Sequence, residues 1–218
     1  MNQLWKENEG LHNFGFLLVD ARNAFNEVNR IALLWNVRHL WVKGSRFLFN
    51  CYRHHSPLMC RSPDGTSFLL YSQEGVTQGC PMATVGFGIA ILPLAKELKT
   101  VHIDCITSWF ADDNGAAGSF ESIDSFFEDL LRLGPDFGYF PEPSKSILIV
   151  HPHEIDNAQV FFNTVGAHGF EITTGSRYLG GFIGDDGSRD AWLSKKMSYW
   201  EANILDISDT AHKFPQSA

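Results

Sequence analysis

Apolar residues along the chain change their period, and the changes mark out the elements. Gly15-Phe16-Leu17-Leu18-Val19 is a short unbroken apolar run, as a buried strand requires, and it stops at Asp20. Helical spacing follows over 29–40 and 44–53, with Gly44 near the break between two helices. Ile31, Leu34, Trp35 and Val37 are expected to form a buried face there. Segments 58–61 and 67–71 flank Asp64-Gly65, a hairpin signal. A long helix rich in small and apolar residues is predicted over 82–98 despite Pro93. Ile123, Phe126, Phe127, Leu130 and Leu131 give an amphipathic helix over 120–133, capped by Ser119 or Ser122. A strand over 146–150 and a helix over 188–207 complete the set, with 134–143 the most loop-like connection. Strand, helices, hairpin, helix and strand in that order predict an α+β fold, a sheet backed by helices.

Between the long helix and the amphipathic one lies the candidate chemistry. Cys105-Ile106-Thr107-Ser108-Trp109-Phe110 is apolar, and Ala111-Asp112-Asp113-Asn114-Gly115 follows it. The pattern predicts strand, tight turn and strand, with two acids at the tip. One reading is a solvated hairpin turn, since Asp-Asn-Gly is good turn chemistry. The other is a cation site, because paired acids repel unless a cation or solvent relieves them. Asp20, at the end of another central strand, allows three carboxylates to converge. Two hard cations about 3.5–4 Å apart, held by carboxylates, are the apparatus of in-line phosphoryl transfer.

Five blocks in order resemble the reverse transcriptases, especially those of non-LTR retrotransposons and group II introns. They are Phe16-Leu17-Leu18-Val19-Asp20 with Ala24-Phe25, then Glu74-Gly75-Val76-Thr77-Gln78-Gly79-Cys80-Pro81-Met82-Ala83, then Phe110-Ala111-Asp112-Asp113. Pro143-Ser144-Lys145-Ser146 and Tyr178-Leu179-Gly180-Gly181 follow, so the resemblance covers roughly 14–184. It implies a polymerase palm and an RNA-directed DNA polymerase, with Asp20, Asp112 and Asp113 holding two Mg2+ (or Mn2+). It implies a template–primer of RNA or DNA, with dNTP as substrate. Phe25 would bar a 2′-hydroxyl. Gln78 and Gly79 would open a helix facing nucleotide or template, with Pro81 near its first turn. Lys145 would neutralise phosphate or assist proton transfer to pyrophosphate. Tyr178, Leu179 and Gly180 would form a hairpin against the primer. Each has a plainer structural alternative: a core aromatic for Phe25, an ordinary glycine–proline helix start at Gly79 and Pro81, a solvated lysine, a bulged strand. Asn26 departs from the pattern, since many non-LTR relatives carry an aspartate there.

Charge and length qualify this picture. Net charge is -8, with 25 acidic residues, against the basic surface a polyanion requires. Thirteen residues precede Phe14, so the family's fingers segment is expected to be missing, beyond remnant helices near 29–53. The chain is expected to be a palm-centred fragment, a degenerate element copy or a truncated gene product, weak or inactive alone. A non-catalytic palm-like module that binds protein or nucleic acid is the alternative. The expected division is a palm over 1–184 and a possible start of a thumb over 185–218, the tail from 212 being frayed. The 188–207 helix carries Trp192, Lys195, Lys196, Tyr199 and Trp200; the resemblance implies the start of a thumb that grips duplex, and the alternative is an amphipathic helix packing on the palm. Cys51, Cys60, Cys80 and Cys105 lack paired metal spacing, which points to reduced thiols in an intracellular setting. His54 and His55 with Cys60 lack a fourth metal ligand. No apolar run reaches membrane-spanning length, and no secretory signal is visible.

Overall fold

Phe14–Val19 forms a strand whose side chains alternate between two apolar environments, which explains its unbroken apolar run. The computed structural model describes residues 2–213. In chain order the elements begin with α1 (Asn2–Glu7), β1 (Phe14–Val19), the single turn α2 (Ala24–Glu27), α3 (Arg30–Leu40) and α4 (Val42–Tyr52). The ribbon β2 (Ser56–Arg61) and β3 (Ser67–Ser72) comes next, then α5 (Ala83–Val101), β4 (Ile106–Phe110), β5 (Asp113–Ser119) and α6 (Phe120–Leu133). After these come β6 (Ile147–Val150), α7 (Ile155–Thr164), β7 (Glu171–Thr173), β8 (Gly175–Tyr178), β9 (Gly181–Gly184) and α8 (Asp186–Lys213).

The main sheet has the order β4-β5-β1-β6-β7 and is antiparallel except for the β6–β7 pair. β1 is central. Leu17, Val19, Ala116, Leu148 and Val150 face a large core with α3, α5 and α6. Phe16, Ala117 and Ile149 face a smaller core closed by Trp5 of α1 and Ile183 of β9. Both faces are therefore covered, and the fold is α+β, as the element order predicts.

Helix α6 has the predicted bounds. Phe120, Ile123, Phe126, Phe127 and Leu130 form its buried stripe, and the Ser119 hydroxyl accepts the Ser122 N–H at 3.2 Å. Helix α3 keeps its predicted length but turns a different face inward. Leu33 and Val37 are buried with Arg30, whereas Ile31 is 77% and Trp35 64% exposed. Arg30 sets that rotation. Its guanidinium donates to Gly75 O and Ser72 O, each at 2.8 Å, and to Ser72 Oγ at 2.7 Å. The break between α3 and α4 falls at Trp41, and Gly44 lies inside α4, where a Cβ would strike the Trp41 ring.

Two further expectations are corrected. Gln78-Gly79 does not open a helix: α5 begins at Ala83, Pro81 lies before it, and Gly79 turns the chain with φ 86. That positive φ is incompatible with a helical first turn. Helix α8 buries none of its residues and does not pack along the sheet; Trp192 meets Phe182 at 5.5 Å near its start. Residues 212 and 213 are helical, and the rest of the tail lies outside the described residues. Among the described residues no helix is long and apolar enough to cross a membrane.

Candidate active site

The register of the central strands assembles the acids. Val19 pairs with Asn114, so Asp20 and Asp113 occupy the next position at the same end of the sheet. Phe110 pairs with Asp113, leaving Ala111 and Asp112 as a two-residue turn, with Ala111 at φ 55. Tyr139, fully buried beneath this turn, donates its hydroxyl to the Asp112 carbonyl at 3.3 Å. Burial, and then the charges of Asp112, Asp20 and Asp113, push that phenol far above its ordinary range. It stays a neutral donor.

Backbone contacts fix Asp20. Its N–H donates to Ser146 Oγ at 3.3 Å, and its carbonyl accepts the Glu142 N–H at 2.8 Å. Ser146 Oγ in turn donates to Glu142 O at 2.9 Å. Both carboxyl groups that bracket the site are raised above the usual carboxylate range. For Asp20, burial dominates; Lys145 opposes it, while Glu142 and Asp112 add to it. For Asp113, burial is again first, followed by repulsion from Asp112 and Asp20, with Arg177 opposing. The three acids thus sense one another. They remain spread, for among the described residues the metal-capable trios with all ligand atoms within 4.8 Å of one another lie elsewhere.

A cleft of about 300 Å3 opens here, lined by Asp20, Asp113, Asn114, Lys145, Arg177 and Tyr178 among others. Lys145 is exposed and ion-paired with Glu142, which raises its pKa through the hydrogen bond and the charge. Leu179 and Gly180 line the same cleft at the tip of the β8–β9 ribbon. Both have positive φ, 47 and 80, which a type I′ hairpin requires and which Gly180 adopts freely. Tyr178 OH lies 2.7 Å from Ser108 Oγ of β4, tying that ribbon to the acid-bearing hairpin.

The remaining candidates lie outside this lining. Phe25 stacks on Phe87 at 4.8 Å and is packed against the large core. Gln78 lines a second cleft with Asn26, Glu74 and Thr77, and Gly79 is open to solvent. The Phe25 and Gln78 blocks are nonetheless joined. Val76 N–H donates to Phe25 O at 2.7 Å, and Gly75 N–H to Val28 O at 2.9 Å. Gly75 has φ 77, and a Cβ there would collide with the Asn26 backbone.

Sequence reasoning missed several residues of this region. Arg177 and Glu142 carry charge into it, and Tyr139 and Ser146 position it. Asn114 is buried beside Asp113 with neither amide atom partnered. The Glu142–Lys145 spacing was a signal for one ion pair. Nothing in the local pattern marks Tyr139 or Arg177, whose roles depend on long-range packing.

All three acids offer only carboxylate oxygen, a donor set suited to a hard divalent cation such as Mg2+. The mutual repulsion felt by Asp20 and Asp113 is what such a cation would relieve.

No protein-family model matches the sequence, and no match emerges among curated proteins. Solved structures do match. Telomerase from Candida albicans in complex with a TWJ fragment of telomeric RNA aligns with TM-score 0.51 and 13% identity over 70% of this chain and 30% of that one. Apo telomerase from Candida tropicalis, truncated from the C-terminal domain, gives 0.52 and 15% over 68% of this chain and 32% of that one. The Candida tropicalis enzyme with the TWJ fragment gives 0.51 and 16% over 68% and 27%. The chain spans under a third of the length of these telomerases. At such identities the likeness is one of fold: this is an α+β, palm-like chain similar in structure to part of a telomerase.

Proposed function

We propose that the chain is the palm of a reverse-transcriptase-type nucleotidyltransferase, extending a primer with dNTPs on an RNA or DNA template. The observation that carries this is the placement of Asp20 beside the Asp112–Asp113 turn at one end of the central strands, next to a cleft lined by Lys145 and Tyr178. The likeness to telomerase, a reverse-transcriptase-related polymerase, agrees with it. Asp20, Asp112 and Asp113 would hold Mg2+. Bound there, the metal pair would supply Lewis-acid stabilisation to the attacking and leaving oxygens of an in-line displacement. Lys145 and Arg177, which line the same cleft, would balance triphosphate charge. Tyr178 and the Leu179-Gly180 turn would seat the primer end, and Phe25 would screen the sugar. A retrotransposon or intron origin rests on the five sequence blocks alone.

A net charge of -8 favours a second reading, a palm-like module that binds a partner without chemistry. Primer extension with Mg2+ or Mn2+ decides between them. Metal-dependent extension by residues 1–218, abolished by Asp112→Ala, supports the polymerase. Absence of extension when further polymerase segments are supplied in trans, with template–primer still bound, supports the module.

A further inference from the structure

At the opposite end of β1 and β6 from the acids, a second set of side chains converges. His12 lies just before β1, while His151, His153 and Glu154 follow β6. Because β1 and β6 are antiparallel, these two stretches are brought together by the register Gly15↔Val150. Six strand residues, about 20 Å, separate this end from Asp20.

Glu154 is the centre of the group. Its side chain is 1% exposed, although the histidines beside it are open to solvent at 81% for His12 and 46% for His153. Its Oε2 is occupied by the Asn13 N–H at 2.9 Å and Asn157 Nδ2 at 3.2 Å. Its Oε1 faces both imidazoles: His12 Nδ1 at 2.8 Å and His153 Nε2 at 3.7 Å. The three ligand atoms all lie within 4.8 Å of one another. Tetrahedral bonds of 2.0–2.2 Å imply ligand–ligand edges of about 3.3–3.6 Å, which these separations bracket. The backbone and amide donors on Oε2 orient the carboxylate, as partners of metal ligands do. His151, buried with its Nε2 unpartnered, stacks on His153 at 5.8 Å and on Trp5 at 3.8 Å.

We propose that His12, His153 and Glu154 form a transition-metal site of the zinc class, open at its fourth position and clipping the N-terminal segment to the end of β6. Two nitrogens and one carboxylate oxygen suit Zn2+ and its neighbours, whereas the all-oxygen acid set suits Mg2+. The ion would join residues 142 positions apart. The metal-free alternative is an ion pair between Glu154 and protonated histidine.

The test uses the 218-residue chain, chelator-stripped, and Co2+ alone as the probe. Saturable one-to-one uptake is expected, with the strong visible absorption of a four-coordinate centre, displaced by Zn2+. An octahedral all-oxygen site absorbs only weakly, so the acids would not mimic it. Zn2+ at a hundredfold excess over its Kd should raise Tm by about 5–10 °C. His12→Ala and His153→Ala should each weaken Co2+ binding at least about tenfold. Both side chains are solvent-exposed, and the Asn13 and Asn157 bonds to Glu154 remain in either variant, so an unchanged far-ultraviolet circular dichroism spectrum is expected of each. Asp124, Glu128 and His168 also converge, on α6 and the segment before β7, so His168→Ala is the control and should leave the spectrum intact. The proposal is overturned by the absence of strong visible absorption at millimolar Co2+. A signal that survives both His12→Ala and His153→Ala, or that His168→Ala removes, also overturns it.

Discussion

The two ends of the central strands carry opposite electrostatics on one scaffold. At the acid end, burial first and then repulsion from neighbouring carboxylates push Asp20 and Asp113 above the usual range. At the histidine end, burial also pushes the Glu154 carboxyl up, but the Asn13 N–H and the His12 and Asn157 side chains outweigh it and hold it below its usual range. The first end is held from outside: Ser146, the Glu142 N–H and Tyr139 grip the backbone and leave the carboxylates facing the cleft and solvent. The second is held through the carboxylate itself. Charge left uncompensated by the fold is available to a ligand; at Glu154 the fold's donors on Oε2 contribute to stability and leave Oε1 facing the two histidines.

The largest effect expected is on chemistry at the acid end. In a chain competent for primer extension, Asp112→Ala should lower the rate by at least about a hundredfold, since a missing ligand removes charge stabilisation in the transition state. Its Tm should barely move, because Asp112 is exposed at a turn. A loss of activity matched by loss of fold would break the contrast.

At the histidine end the balance is reversed. Glu154→Gln, measured by urea unfolding in chelator, should cost roughly 1–3 kcal/mol, because charge-assisted bonds to a buried group are weakened together. No change in the urea midpoint would show that this carboxylate is not a structural anchor. Tyr178→Phe should cost about 1 kcal/mol by removing the Ser108 contact. Its signature is faster amide exchange in β8 and β9 rather than in β1.

The smallest effect has an unusual sign. Asp113→Asn should raise Tm by about 1–2 °C at pH 7, since burial, and then repulsion from Asp112 and Asp20, disfavour a charge at this partly exposed position. A carboxyl raised in the fold binds its proton more tightly there than in the unfolded chain. Its stabilising contribution is complete below the ordinary value of 3.8 and is lost as pH rises through the raised folded value. The advantage of Asn over Asp should therefore disappear as the assay pH falls through that window. Melting curves at pH 7 and pH 3.5 check this; a gain independent of pH would show that the charge on Asp113 is not the cause.

Elements governed by local pattern were legible in the sequence. β1, the β4–β5 hairpin and α6 with its Ser119 cap follow from periodicity and turn chemistry. The face of α3 does not, because Arg30, a charged residue, takes the inward position and pushes Ile31 and Trp35 out. Helix α7 and strand β7 were not anticipated; Ala158 and Phe162 give only a thin buried stripe, and β7 has three residues. The acids were marked by adjacency. Their supports lie far along the chain: Ser146 arrives with β6 as it pairs with β1, Arg177 with the separate β8–β9 ribbon, and Tyr139 from the segment after α6.

That central position of β1 also has a consequence in time. Both neighbours of β1 arrive late: Leu18 pairs with Gly115 on one side and with Ile147 on the other. During synthesis at about 5–20 residues per second, β1 waits roughly 5–20 s for its first partner. Throughout that interval a strand apolar on both faces has no sheet to join, and long-range pairing makes its capture slow once β5 appears. Arrival of β6 then completes both ends in one event, since the same strand brings Ser146 to Asp20 and Glu154 to His12. A nascent chain stopped before residue 113 would expose Phe16, Leu17 and Val19 together, a natural target for chaperones.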